Sequence, residues 1–235
     1  MKIINDFSPN FSKKKRFIKQ IKFIIIHYTG MQSEIESIKR LKNPNFKVSC
    51  HYLINRNGKI LRMVKDSHIA WHAGKSKWGK YKNLNENSLG IELVNKGHQF
   101  GYEKFSNKQI KSLISLCKNL KKKFEINDEN FLGHSDVAPL RKRDPGEKFP
   151  WKKLSNYNLG NWYKKNKKKI EVSEKKMKNL FFKNLQKLGY RYFNIKVRKN
   201  TDKKIIKCFQ QRYLPNRITG KIDQKTYKIS HLLAH

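Results

Sequence analysis

KFIIIHYTG, residues 22–30, gives the first clear signal of regular structure in the chain. Four consecutive apolar residues, three of them β-branched, predict a short buried strand. Gly30 ends the run, because glycine readily adopts the turn conformations that stop a strand. His27 follows the apolar run directly, so a rigid element would hold its imidazole in place.

Two further stretches extend the predicted sheet. HYLINRNGKILRMV, residues 51–64, predicts two short strands joined at Asn57-Gly58, because that pair tolerates the positive φ angles of a tight hairpin turn. SLGIELVN, residues 88–95, predicts a strand with apolar side chains on one face and Glu92 on the other. These runs are the remaining strands of a predicted central sheet.

SNKQIKSLISLCKNLKKKF, residues 106–124, predicts an amphipathic helix that Ser106 can cap. Its apolar residues recur at three- and four-residue steps: Ile110, Leu113, Ile114, Cys117 and Leu120. Strands interleaved with helices predict an α/β sheet core over about residues 21–150.

The lysine-rich run KKNKKK, residues 164–169, marks a change in the pattern of the chain. Beyond it, Ser173, Thr201 and Asp223 can each cap a short amphipathic helix. The first of these helices should end near Gly189, since glycine favours the left-handed conformation of a helix C terminus. Three such helices predict a small appended bundle.

The chain carries a formal net charge of +38, which would attract polyanions without any specific site. Lysine supplies most of this charge and is spread along nearly the whole chain with abundant Asn and Ile, a pattern typical of a genome-wide bias. Arginine, which favours bidentate contacts to phosphates and bases, is scarce. We therefore expect no specific nucleic-acid partner, and DNA binding that vanished at physiological salt would be non-specific.

Cys50, Cys117 and Cys208 are far apart and form no CxxC pair, so neither a disulfide framework nor a thiolate zinc site is indicated. Any metal must therefore use histidine and carboxylate ligands. The N terminus lacks the basic start, apolar core and cleavage site of a secretory signal. The sequence as written therefore predicts a chain without an export signal, and a cytoplasmic location.

GHSDVAPLRKRDPG, residues 133–146, places His134 and Asp144 on either side of a basic turn. A hydrolytic zinc site needs three His or carboxylate ligands, an open position and a nearby base. Taken singly, each candidate has an ordinary structural explanation. His27 could be a core residue, Glu92 a solvated residue, and Asp144 with the Pro-Gly that follows it a turn.

Together, five segments resemble, in order, the landmarks of the zinc-dependent N-acetylmuramoyl-L-alanine amidases, the amidase type 2 family. They are HYTG at 27–30, SCHYLINRNG at 49–58, AWHAG at 70–74, NSLGIEL at 87–93, and GHSDVAPLRKRDPG with FPW at 149–151. The chain looks closest to the AmiD-like branch, which has an aspartate as its third ligand and a C-terminal helical domain.

The resemblance implies an α/β fold, with a mixed central sheet flanked by helices and a small C-terminal three-helix domain. It divides the chain into three parts. Residues 1–20 would form a basic N-terminal arm, which we expect to be irregular. Residues 21–163 would form the zinc amidase catalytic domain, and residues 172–235 a helical peptidoglycan-binding-like domain.

Carried over by position, the resemblance implies that His27, His134 and Asp144 bind Zn²⁺. Glu92 matches the catalytic glutamate of the family and Lys142 its catalytic lysine. Further, Trp71 and His72 of AWHAG would border the substrate groove, although a buried Trp and a structural His are an equal alternative.

Such a chain would hydrolyse the amide between N-acetylmuramic acid and L-alanine of peptidoglycan or muropeptides, acting as a monomer in cell-wall turnover or recycling. The alternative is a peptidoglycan-binding protein of the same fold without turnover, which the complete ligand set disfavours. Relatives work in the cell envelope or in the cytoplasm, so the resemblance leaves an envelope location open. It also leaves open whether intact peptidoglycan or anhydro-muropeptides are preferred.

Overall fold

The computed structural model describes residues 2–164 and 172–235. The strands are β1 Ile3–Asn5, β2 Phe11–Ser12, β3 Phe23–Tyr28, β4 Tyr52–Ile54, β5 Ile60–Arg62, β6 Ile69–Ala70, β7 Lys77–Trp78, β8 Tyr81–Lys82, β9 Ser88–Leu93 and β10 Phe131–Gly133. The centre of the fold is a six-stranded mixed sheet in the order β1-β5-β4-β9-β3-β10, and two small two-stranded ladders, β2-β6 and β7-β8, accompany it.

The helices of the described residues flank this sheet. They are α1 Glu34–Lys42, α2 Asn107–Phe124, α3 His134–Val137, α4 Trp151–Ser155, α5 Glu174–Leu188, α6 Asp202–Tyr213 and α7 Gln224–Ala234. Short 3-10 helices lie at Ile18–Gln20, Pro44–Phe46, Leu84–Asn87 and Asp128–Asn130. None of the helices in the described ranges is long and apolar enough to cross a membrane.

Three neighbouring strands, β9, β3 and β10, run parallel, and their carboxyl ends meet at one edge of the sheet. Ile26 of β3 pairs with Gly133 of β10 on one side, and His27 pairs with Glu92 of β9 on the other. Because side chains alternate along a strand, His27 and Glu92 project from the same face. The register therefore places His27 and Glu92 side by side, next to the end of β10, where His134 follows.

Helix α2 covers one face of the sheet. Its apolar stripe packs with Ile24 and Ile26 of β3 and with Ile91 of β9 in one buried cluster. Ser106 caps the helix by accepting a hydrogen bond from the Gln109 amide at 3.1 Å. The five apolar residues of α2 predicted from sequence are all buried. Their burial is the main force that holds the helix on the sheet.

The C-terminal helices join the core on the opposite face. Phe23 and Ile25 of β3 belong to the same buried cluster as Phe181 of α5 and Phe209 of α6. Asp223 caps α7 by accepting from the Thr226 amide at 2.7 Å. The helical region thus shares one apolar core with the sheet.

The predicted α/β sheet with flanking helices and a C-terminal helical region is confirmed. The strands at 22–30 and 88–95, the hairpin at 51–64 and the helix at 106–124 all form as expected. Helix α5 ends at Leu188, and Gly189 caps it with a φ of +114°.

Other local expectations differ from the structure. Residues 1–20 are not irregular throughout, because Ile3–Asn5 pairs in parallel with Ile60–Arg62 and Phe11–Ser12 pairs with β6. Ser173 and Thr201 occupy N-cap positions, but their side chains make no capping hydrogen bond. Most of the KKNKKK run lies outside the described residues, and the division into an arm and two domains stays a prediction.

Candidate metal centre

His27 reaches the centre from the carboxyl end of β3. The strand is bonded on both sides, to β9 and to β10, so its backbone position is well determined. The imidazole is buried, and burial followed by the neighbouring His134 lowers its pKa to about 4, although Asp144 opposes that shift. At neutral pH His27 is therefore an uncharged imidazole with one lone pair available.

His134 and Asp144 reach the same point from the chain that follows β10. His134 begins the single turn of α3, and Asp144 comes ten residues later in an irregular segment. The Ser135 amide donates to the Asp144 carbonyl at 2.9 Å, which brings the two ends of this segment together. We call residues 139–144 the ligand loop, since they carry Lys142 and Asp144.

Three side-chain atoms converge in the space between these elements. His27 Nδ1 lies 2.9 Å from His134 Nδ1, and Asp144 Oδ2 lies 3.0 Å from each of the two nitrogens. All three residues are buried. They form a compact triangle of possible ligand atoms.

The hydrogen bonds behind His27 assign its tautomer. The Ser88 hydroxyl donates to the Leu84 carbonyl at 2.5 Å, so its oxygen is left to accept from His72 Nε2 at 3.3 Å. His72 Nδ1 is then an acceptor, and His27 Nε2 donates to it at 3.1 Å. This series of hydrogen bonds ends at the Leu84 carbonyl, which cannot donate. His27 therefore carries its proton on Nε2 and its lone pair on Nδ1.

His134 is oriented in a similar way by a shorter path. Its Nε2 lies 3.2 Å from the Ala73 carbonyl oxygen, which can only accept, and 3.4 Å from Arg141 Nη2, which can only donate. The shorter contact favours an Nε2–H that donates to Ala73 and a lone pair on Nδ1. The Arg141 guanidinium donates to the carbonyls of Ala73 and Lys75. Arg141 therefore closes the loop against residues 73–75.

The three converging atoms together suit a cation. Asp144 is buried, which opposes its ionisation, but His134 and His27 hold the pKa of its carboxyl well below the usual range. The two imidazole lone pairs and the carboxylate oxygen then face one another at about hydrogen-bond distance. With the tautomers described above, no proton lies between the two imidazole nitrogens, so the three atoms repel one another. A divalent metal that accepts N and O donors would relieve this repulsion, and Zn²⁺ is such an ion.

Glu92 lies beside the triangle on β9, between the two neighbouring strands. Burial, together with the Asp144 carboxylate, raises the pKa of Glu92 to about 8, while Lys142 opposes the shift. Among the residues that the structure describes, none is hydrogen-bonded to its buried Oε2. The residue as a whole is half-buried and lines the cavity described below. Its raised pKa gives the carboxyl the proton affinity that a general base needs.

A cavity of about 760 Å³ opens over the triangle. This volume is within the usual range for a small-molecule site. Its walls include His27, Tyr28, Arg40, His72, Glu92, His98, His134, Arg141, Lys142 and Asp144. The structure thus gathers all five residues that the sequence comparison assigned to metal and catalysis around one cavity.

The two expected substrate residues lie in different places. His72 lines the cavity but its imidazole is bonded between His27 and Ser88, behind the triangle. Trp71 is not part of the cavity wall, and its amide is bonded to Ser49 Oγ at 2.8 Å. A substrate contact by either residue stays a prediction.

The close approach of His72 depends on Gly90. A Cβ atom at position 90 would lie 2.3 Å from Cγ of His72, which no real side chain could tolerate. Gly90 was not among the functional residues predicted from sequence. The signal for it was present, because an isolated glycine within a strand indicates a close approach by another group.

A second polar group, of which Tyr28 and His98 line the cavity, was also not predicted from sequence. The Tyr28 hydroxyl lies 2.8 Å from His98 Nδ1, and His98 Nε2 lies 3.0 Å from Glu147 Oε2. This hydrogen bond to His98 lowers the pKa of Glu147 despite partial burial. The three residues are distant in sequence, so only the fold brings them together.

The geometry matches a known class of hydrolase. A family model described as N-acetylmuramoyl-L-alanine amidase matches residues 18–147, more than half of the chain. The chain belongs to this family, and the resemblance seen in the five sequence segments is confirmed.

Individual relatives extend the match beyond the family model. N-acetylmuramoyl-L-alanine amidase AmiD of Escherichia coli K12 is 32% identical over 230 residues, covering 91% of this chain and 82% of its own length. The structure of the E. coli AmiD complex with anhydro-N-acetylmuramic acid-L-Ala-D-γ-Glu-L-Lys has a TM-score of 0.79, 29% identity, and 94% and 91% coverage of the two chains. AmpDh3 of Pseudomonas aeruginosa in complex with anhydromuramic pentapeptide has a TM-score of 0.78 and 27% identity, with 96% and 95% coverage.

Proposed function

We propose that this protein uses Zn²⁺ to hydrolyse the amide bond between the lactyl group of N-acetylmuramic acid and L-alanine, in peptidoglycan or its fragments. The observation that carries the proposal is the triangle of His27, His134 and Asp144 beside the buried carboxyl of Glu92. A buried carboxyl with a raised pKa next to such a donor set is typical of a hydrolytic centre.

The ligand set supports a water-activating site. Two neutral imidazoles and one carboxylate would leave Zn²⁺ with net positive charge and a fourth position open. Bound Zn²⁺ would supply Lewis acidity, which lowers the pKa of water to about 7 and polarises a carbonyl oxygen. The protein's own residues then have to move a proton and offset a negative charge.

Glu92 would move the proton. Its Oε2 accepts a proton from the attacking water as the water oxygen bonds to the carbonyl carbon of the lactyl group. The same carboxyl then donates that proton to the L-alanine nitrogen as the carbon–nitrogen bond breaks. The first products are a lactyl carboxylic acid and a stem peptide with a neutral amine. The acid proton then passes to the amine, which gives a carboxylate and an ammonium group, so atoms and charge balance.

Lys142 would offset the charge that develops on the carbonyl oxygen. It lines the cavity two residues before Asp144, and its charge acts on Glu92 across the cavity. A fixed cation aimed at a developing oxyanion typically contributes a few kcal/mol to transition-state stabilisation.

The substrate class follows from the relatives. AmiD and AmpDh3 are described in complex with an anhydromuramic tripeptide and pentapeptide respectively. We infer that the cavity of this chain accepts the muramic acid–stem peptide junction in the same way. Mass spectrometry of the products from intact sacculi and from anhydro-muropeptide, assayed side by side, gives the preference between the two.

Replacement of the proposed base tests the mechanism. Glu92→Gln keeps the side chain's shape but removes the proton acceptor, so hydrolysis of a muropeptide should fall by about 10²- to 10⁴-fold. Zinc content, measured by metal analysis, should stay the same because Glu92 is not one of the proposed ligands. Glu129→Gln makes the same change of charge on an exposed side chain and should leave the rate unchanged.

Two results would contradict the proposal. A near-normal rate for Glu92→Gln with zinc retained would remove the proposed base. Wild-type protein without zinc, or one that bound muropeptide but released no stem peptide, would instead favour a binding protein of the same fold.

A further inference from the structure

One face of α6 runs along the ligand loop. Lys204 Nζ donates to the Leu140 carbonyl at 3.2 Å, and Cys208 Sγ lies 3.7 Å from the Pro139 carbonyl oxygen. Gln211 Nε2 donates to the Arg143 carbonyl at 2.7 Å. Lys204, Cys208 and Gln211 are spaced by four and three residues, so they lie on a single face of the helix.

The same face also binds the turn that carries His134. Arg212 Nη1 lies 2.5 Å from Asp136 Oδ2, and its Nη2 donates to the Phe131 carbonyl at 3.0 Å. Both charged groups are buried, with Arg212 4% and Asp136 1% exposed. The guanidinium stacks over the Trp151 ring at 3.9 Å. Asp136 in turn accepts from the Gly133 amide at 2.8 Å, directly before His134.

The ligand loop needs such partners because it is not part of a sheet or helix. Backbone carbonyls outside regular structure have no partner in a ladder or helix, so they bond to side chains or to water. Here three of the six loop carbonyls have a donor from α6, and one of these carbonyls, that of Arg143, lies in the peptide that precedes Asp144.

We propose that α6 is part of the metal centre, with Gln211 and Arg212 acting as positioning residues that hold Asp144 and the turn at His134 in ligating geometry. This inference rests on the proposed zinc function and goes beyond the predicted wall-binding role of residues 172–235. A helix that served only to pack against the sheet would need only apolar side chains at the contact. In α6, by contrast, individual polar side chains are bonded to individual carbonyls of the ligand loop.

Two adjacent glutamines of α6 provide a matched pair for a test. Gln211 is 8% exposed and faces the loop, whereas Gln210 is fully buried and faces the helical bundle. Gln210 Nε2 donates to the Lys221 carbonyl at 2.8 Å and lies 3.1 Å from Thr226 Oγ1, and its Oε1 accepts from the Gly220 amide at 2.8 Å. Replacing either glutamine with alanine removes a buried side-chain amide, but only the change at Gln211 removes a contact to the ligand loop.

The experiment measures zinc affinity of the full chain by competition with a chelating dye. Gln211→Ala should weaken zinc binding about tenfold, which is the lower end of the effect expected when a partner of the ligand shell is lost. Gln210→Ala should leave zinc affinity unchanged, even where it lowers the unfolding temperature more. Amide hydrogen exchange of the metal-free proteins should show faster exchange over residues 139–144 in Gln211→Ala alone.

Equal zinc affinity in Gln211→Ala and wild type, with unchanged exchange over residues 139–144, would overturn the inference. An equal loss of affinity in both variants would also overturn it, since general destabilisation would then explain the effect. A wild-type chain that bound no zinc would contradict the proposed function. In that case, exchange over residues 139–144 would still decide whether α6 holds the loop.

Discussion

His27 and Asp144 meet at one point, but the protein holds them in different ways. His27 is on a strand paired with both neighbours, and its imidazole is braced from behind by His72. Asp144 is on an irregular segment whose carbonyls are bonded to side chains of α6. A strand-borne residue gets its position from backbone pairing, whereas a loop-borne one needs specific side chains from elsewhere in the chain.

The two arrangements should fail differently. Backbone pairing is shared among many bonds, so one substitution near β3 should change side-chain orientation more than backbone position. The loop depends on a few contacts from α6 that span 68 and 76 positions in sequence. Loss of one of these contacts should affect both folding and metal binding.

The largest expected effect is on the loop side, from Arg212→Leu. It leaves the Asp136 carboxylate buried without its cation, which typically costs about 3 to 5 kcal/mol. The free energy of unfolding from urea titration measures this loss. Arg212→Leu combined with Asp136→Asn removes the unpaired charge and should recover at least about 1 kcal/mol. If Arg212→Leu alone were as stable as wild type, the Arg212–Asp136 ion pair would not secure the loop.

The next effect is on the strand side, from His72→Phe. The ring volume is kept, but His27 Nε2 loses its acceptor, so zinc affinity should fall by about 10- to 100-fold. Competition with a chelator measures the affinity. Ser88→Ala removes the acceptor of His72 Nε2 rather than that of His27, so it should cause a smaller loss of zinc affinity. If both variants bound zinc like wild type, the hydrogen-bond chain would not orient His27.

Two glycines allow a direct comparison of the two sides with the same change. A Cβ at Gly90 would lie 2.3 Å from His72 Cγ, and one at Gly133 would lie 2.8 Å from Pro145 Cδ, next to Asp144. Each alanine variant should lose about 1 to 3 kcal/mol through overpacking. Hydrogen exchange should rise over residues 139–144 for Gly133→Ala but not for Gly90→Ala. If hydrogen exchange over residues 139–144 changed equally in the two variants, the strand that carries His27 and the loop that carries Asp144 would not be held independently.

Much of the fold could be predicted from sequence because local signals were strong. The apolar run before His27, the Asn57-Gly58 turn and the apolar stripe after Ser106 each indicate one structure by composition and spacing alone. The short strands Ile3–Asn5 and Phe131–Gly133 lack such signals. Their pairing depends on neighbours distant in sequence, so periodicity does not reveal them.

The candidate site shows a similar division. The ligand triangle could be proposed because family resemblance connects His27 with His134 and Asp144, which no local pattern does. The roles of His72 and Gly90 depend on how β9 lies against the residues at 70–74, which is a tertiary contact. Arg212 gave one usable signal, an arginine next to the apolar stripe of its helix, but the sequence alone does not show its partner.

The long separation between α6 and the ligand loop also has a consequence for biosynthesis. Asp136 is made 76 residues before Arg212, and Arg143 is made 68 residues before Gln211. A ribosome that has completed the three candidate ligands has therefore not yet made the helix that we propose to position them. On that proposal the metal-binding geometry would form late, only after α6 has been translated.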